Sequence, residues 1–221
     1  MLLVLECIKA THHKVKLPVF SNHIKLHIMK KKGGFTNMEL YHISYLPISE
    51  FRPKIPMHRL NSEDITTPRI CLSSSIISCL NAKAGRNEYI RLSLHDNIPC
   101  LIYVYTFECT PRDLLYPSDV IKRGVPDAEL NQEFWLLHSP NQVQEKVFKV
   151  LSAKLVYDWR ISEIELTEQI SDADRLFVRF VTQYNEEAEK DLPAEPKYMS
   201  PEILFPQIWD DMVQLYRKKI G

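Results

Sequence analysis

A chain of 221 residues, 45% hydrophobic and 25% charged, has the composition of a globule with a real core, built as one domain or one domain with an appendage. Its 28 basic and 28 acidic residues cancel, but seven Lys and one Glu fall in residues 1–37 (net +6), leaving 21 basic against 27 acidic beyond them (net −6). So acidic a body argues against a general nucleic-acid binder, whose affinity rests on neutralising phosphates, and no apolar run reaches membrane-spanning length.

The opening MLLVLECI is apolar but short, lacks a basic flank and precedes no small-residue cleavage site, so no signal peptide is predicted. Cys7, Cys71, Cys79, Cys100 and Cys109 are odd in number and form no CxxC pair, which predicts reduced, buried thiols in a cytoplasmic protein. Residues 1–37 are basic and carry His12, His13, His23 and His27. Read as codons, the KKGGFTN before Met38 can spell the purine core of a bacterial ribosome-binding site and its spacer. This predicts that 1–37 is an upstream leader and that the native protein starts at Met38. The alternative is a genuine basic arm, whose His23 and His27 at i,i+4 could hold a metal on a helix.

From Met38 the elements follow closely. ELYHISYL alternates with aromatic and β-branched residues and predicts a strand, and FRPKIPMHRLNSEDITTP predicts an irregular, proline-stiffened loop. RICLSS reads as a short strand, and SSIISCLNAKAG as a helix capped by serine and closed by Gly85. A linking segment leads to PCLIYVYTFEC, a near-continuous apolar run that predicts a central, buried strand. A second loop, TPRDLLYPSDVIKRGVPDAELN, precedes the strand QEFWLLHS, and VFKVLSAKLV and SEIEL are two more strands. After Ser171 a helix is predicted with Leu176, Phe177, Phe180, Val181 and Tyr184 on one face and Asp172 and Asp174 in a solvated first turn. A last helix from about Pro206 carries Ile208, Trp209, Met212, Val213 and Tyr216 as an apolar stripe and should bury Ile208, Trp209 and Met212. Strands with few helices and no βα alternation predict an α+β fold. The domain scheme is a leader at 1–37, a catalytic or binding domain at 38–168 and a helical extension at 169–221.

Three short pieces place one polar side chain of catalytic type in an otherwise apolar strand: His42 in LYHIS, Ser73–Ser75 in RICLSSS, and Glu133 in NQEFWLL. A carboxylate in so apolar a strand belongs at a strand end or in a cleft. The cysteines with His95 fit no zinc spacing, PKIP reads as loop stiffening, and neither a nucleophile elbow nor a P-loop is present.

In this order the three pieces resemble the ADP-ribosyltransferase superfamily over roughly residues 39–157. That resemblance implies split, mixed or antiparallel β-sheets around a cleft, with C-terminal helices added, and NAD as substrate without a metal. It implies that His42 binds a ribose hydroxyl and seats the nicotinamide, that Ser73, Ser74 and Ser75 support the cleft floor, and that Glu133 binds the 2′-hydroxyl of the nicotinamide ribose. Cleavage of the nicotinamide–ribose bond passes through an oxocarbenium-like state, which a fixed carboxylate stabilises. Tyr89 and Tyr103 are candidates for stacking on nicotinamide, and Arg52, Arg59 and Arg69 for the nucleotide phosphates. The implied activity is transfer or hydrolysis of ADP-ribose, with a nucleotide substrate and an unassigned protein acceptor. The alternatives are an inert binding module of the same fold from a phage or mobile element, and a nucleotide 2′-phosphate transferase, which would need more basic residues.

Overall fold

The computed structural model describes residues 15–16, 37–56, 62–82, 86–156, 160–180, 213–214 and 216–218. The fold is α+β: one open sheet with a few short helices. The strands are β1 (Val15–Lys16), β2 (Met38–Ser44), β3 (Ile70–Ser73), β4 (Leu101–Cys109), β5 (Leu114–Leu115), β6 (Glu133–Leu136), β7 (Val143–Val156) and β8 (Arg160–Thr167). The helices are α1 (Ile76–Asn81), α2 (Arg86–His95) and α3 (Pro117–Ile121), with further helical residues at 172–180, 213–214 and 216–218. The strand order is β1-β8-β7-β4-β2-β3-β6-β5. Of the expected leader, Val15 and Lys16 are described, and they pair with Leu166 and Glu165 at the edge of β8.

Of the mixed or antiparallel pairing expected, the antiparallel form is found: every strand pair among the described residues is antiparallel. The reason is topological, because β2 lies between β3 and β4 and runs against both, separating two strands that point the same way. The sheet is also continuous rather than split, although β2 and β3 share only the pair Tyr41–Ser73, whereas the whole of β2 pairs with β4. This seam marks off β3, β6 and β5 from the remaining strands.

The apolar run of β4 is central and buried, as its composition demands. On one face of the sheet, Leu40, Tyr105 and Phe107 pack with Ile70, Leu72, Phe134 and Leu136 across the seam, under Ile48 and Phe51 of the following loop. On the other face, Ile43, Ile102, Val104, Val150 and Ile164 pack beneath α1, α2 and the C-terminal helical residues. A smaller core on that same face gathers Trp135 with Val120, Val125 and Ala128.

Two segments read as loop contain helix. The linking segment before β4 is α2, which buries Tyr89, Ile90 and Ser93. Its alternating Leu92 and Leu94 blurred the helical period. The loop after β4 holds α3 and two tight turns. Chain reversals after α2, after α3 and before β6 share one device, a left-handed residue at Asn97 (φ 54), Gly124 (φ 90) and Gln132 (φ 49). Each closes a six-residue hydrogen-bonded turn, from Ile98 N–H to Ser93 O, Val125 N–H to Val120 O and Glu133 N–H to Ala128 O. At Gly124 a Cβ would lie 2.0 Å from the Ser62 carbonyl oxygen, so only glycine fits. Gln132 accepts the same conformation at a steric cost, and Gln132→Gly should raise stability by about 0.5–1 kcal/mol in denaturant titrations.

The helix starting after Ser171 differs from its expected form at both ends of the charge scale. Asp174 is buried rather than solvated: it accepts from the Ser171 amide and hydroxyl, Ser171 caps the Asp174 amide in return, and Lys149 Nζ lies 2.7 Å away. Burial opposes its charge, but Lys149 and Ser171 outweigh it and hold the carboxyl below the usual range. Its stabilisation is therefore present above the unfolded carboxylate pKa of about 4 and fades as pH falls through the folded value. Ser171→Ala should cost about 1 kcal/mol, and Asp174→Asn should flatten the acid limb of the stability profile. On the same helix Phe177 is buried and meets Tyr216 edge-on at 4.7 Å, while Leu176 is exposed, departing from the expected apolar stripe. Val213 and Tyr216 pack on this chain's own core. Val181, Tyr184, Ile208, Trp209 and Met212 lie outside the described residues, as does Gly85.

Candidate functional site

The three strands carrying His42, the serines and Glu133 are neighbours, in the order β2-β3-β6. Tyr41 pairs with Ser73 and Ser73 with Glu133. Directly opposed residues of antiparallel strands point to the same face, so Tyr41, Ser73 and Glu133 form one lateral row on the helix-covered side. With strands about 4.8 Å apart, Tyr41 and Glu133 stand about 10 Å apart along it. The row ends at Glu133, the first residue of β6, where the left-handed Gln132 turns the chain into the sheet.

Side chains alternate along a strand, so His42 points to the opposite face from this row. Its Nδ1 lies 2.9 Å from the Cys71 carbonyl oxygen. The imidazole thus reaches the seam from the loop-covered side, meeting a carbonyl where β2 and β3 part. Phe51 stands edge-on to it at 5.4 Å, and the Tyr105 ring lies tilted to it at 6.5 Å. The sequence expectation that His42 and Glu133 share one cleft meets this register: the row-mate of Glu133 on β2 is Tyr41.

The serine turn divides its duties. Ser73 is buried in the row, and Ser75 caps α1 by accepting from the Ser78 amide at 3.1 Å. Ser74 Oγ is buried and has no hydrogen-bond partner among the described residues.

Glu133 is largely buried. Its Oε1 accepts from the Trp135 indole N–H at 2.8 Å, and the Cys71 thiol also donates to the carboxylate. Desolvation pushes its carboxyl above the usual glutamate range, the Trp135 and Cys71 hydrogen bonds pull it down, and Glu63 and Asp127 add to the rise. Burial likewise drives the Cys71 thiol far up, so Cys71 is an inert donor rather than a nucleophile.

Beneath this carboxylate lies a cluster that single-strand reading missed. Arg69 is fully buried, with its guanidinium carbon 3.7 Å from the centre of the Trp135 ring. It donates to the carbonyls of Asp64 and Thr67 at 2.9 and 3.0 Å and pairs with Glu63. The loop that supplies these acceptors is itself pinned, because Asp64 accepts from Thr66, Thr67 and Arg123. Those bonds hold the Asp64 carboxyl well below the usual range. A signal was available: Arg69, Cys71 and Ser73 share a face by the period of two, as do Glu133 and Trp135.

The remaining candidates scatter. The phosphate-donor expectation for Arg69 is corrected, since its guanidinium is enclosed by protein acceptors and an indole. Arg52 is exposed and pairs with Glu50 at 2.5 Å, and Arg59 lies outside the described residues. Tyr89 is buried in the helix-side core, edge-on to Tyr45 at 4.5 Å, which leaves no open face for stacking. Tyr103 is half-buried on the same face as His42, next to Ser44. Among the described residues no His, Cys, Asp and Glu cluster has a metal-binding arrangement, and no helix is long and apolar enough to cross a membrane.

No protein-family model, no curated protein and no solved structure matches this chain.

Proposed function

We propose that this chain is an ADP-ribosyltransferase-like protein that takes NAD at the end of the Tyr41–Ser73–Glu133 row and breaks its nicotinamide–ribose bond, with transfer or hydrolysis of the ADP-ribose. The observation that carries the reading is Glu133: a desolvated carboxylate at a strand end, fixed by an indole donor and flanked by the serine turn. A buried carboxylate is costly to keep unless it serves, and it would stabilise the oxocarbenium through the charge that its surroundings make expensive. The serine turn stands beside it, with Ser73 opposite Glu133 across the β3–β6 pair. In this reading His42 contributes from the other side of the seam, through its hold on the Cys71 carbonyl, rather than by touching the same ribose hydroxyl as Glu133.

A second reading, an inert binding module, is favoured by one specific observation: the register sets His42 and Glu133 on opposite faces. Incubating the full chain with NAD and following free nicotinamide separates the two. Release above the uncatalysed rate supports the enzyme, and NAD binding without release supports the module.

A further inference from the structure

Trp135 is entirely buried, and an indole offers a single hydrogen-bond donor. That donor is spent on Glu133 Oε1 at 2.8 Å. Water cannot substitute at a site with no exposure, so the carboxylate and the indole depend on each other. The ring is in turn fixed from its face by Arg69, and Arg69 by the two carbonyls and the carboxylate of the 63–67 loop. A cation over an aromatic face draws on the ring's electrons and is strongest where water is excluded. A chain of contacts thus runs from a pinned surface loop through a guanidinium and an indole to one carboxylate.

We infer that Trp135 is the positioning residue of Glu133, its N–H fixing the orientation and charge of the carboxylate while Arg69 fixes the indole. The inference rests on reading Glu133 as the group that meets the substrate. Other groups that act on the carboxylate are the Cys71 thiol from β3, Glu63 from the loop and Asp127 from the turn before β6. The thiol adds to the indole's support, and the two acids oppose it. Loss of a hydrogen bond to a charged group is worth about one to two pKa units, or about 10- to 100-fold in ionisation.

The test follows the carboxyl ¹³C resonance of Glu133, assigned through Glu133→Gln, in the wild-type chain and in Trp135→Phe. The expected result is a Glu133 titration displaced upward by about one unit or more in Trp135→Phe, with the acid limb of nicotinamide release moving equally and kcat falling more than KM changes. Because removing a buried indole endangers folding, the indole N–H resonance of Trp135 is followed in the unmutated protein as well. It should titrate in step with Glu133 and shift in Glu133→Gln. An indole resonance that stays flat while Glu133 titrates overturns the inference. Coupled titration in a protein that releases no nicotinamide upholds the Trp135–Glu133 link and removes only the catalytic reading.

Discussion

Glu133→Gln should lower nicotinamide release by about 10²–10³-fold and leave the fold intact. The amide retains an oxygen to accept the Trp135 N–H, so the 2.8 Å contact survives with nearly the same shape. What disappears is the negative charge that would stabilise the oxocarbenium. Folding should gain slightly at neutral pH. The folded-state pKa of Glu133 is raised, so the native protein binds this proton more tightly than the unfolded chain. Its burden on stability is absent below the unfolded value of about 4.3 and grows as pH rises towards the folded value. Glutamine carries no such burden, and the variant's stability profile should lack that decline. Steady-state release of nicotinamide and thermal unfolding across pH measure both halves. Unchanged turnover in Glu133→Gln, or none in the wild type, would leave the carboxylate a structural or partner-binding group.

The sequence was most legible where one property decides an element. Leu101–Cys109 is apolar almost throughout and lies at the centre of the sheet, because a one-sided strand has no use for such a run. Ser75 announced α1 through the hydroxyl that caps it. The period of two also tells which residues of one strand share a face, so Glu133 with Trp135 was readable in QEFWL. What it cannot tell is how the faces of different strands match. Register across β2 and β3 rests on a single pair, Tyr41–Ser73, and a shift of one residue there would bring His42 to the side of Glu133. Asp174 escaped for a related reason: its partner Lys149 is 25 residues away on β7, and nothing local distinguishes a capping acid that is buried from one that is solvated. Arg69 looked like a ligand donor because an arginine at a strand end is usually solvated. Its burial depends on Trp135, 66 positions later, and on a loop whose Asp64 turn has no regular structure to announce it.

Arg69→Ala should cost about 3–5 kcal/mol of folding stability, the largest loss expected of any single exchange around the site. The guanidinium has no exposed surface, and Glu63 beside it is only 11% exposed in its side chain. Removing the cation takes a positive charge from beside that carboxylate, close to a second acid, Glu133, in surroundings that already disfavour negative charge. It also leaves the carbonyls of Asp64 and Thr67 without their donor and uncovers the face of Trp135. Arg69→Lys should recover only part of the loss, because a point charge cannot serve two carbonyls, a carboxylate and an aromatic face at once. Arg69→Met with Glu63→Gln should recover more, since it fills the space and removes the negative charge that Arg69 balanced. Urea midpoints at unchanged slope measure each variant. These exchanges also separate the clamp from a phosphate donor. A donor would raise the KM for NAD in Arg69→Lys with stability kept, whereas a clamp lowers stability and reaches catalysis only through Trp135 and Glu133. A loss below about 1 kcal/mol in Arg69→Ala would mean that water replaces the guanidinium and that nothing braces the indole from below.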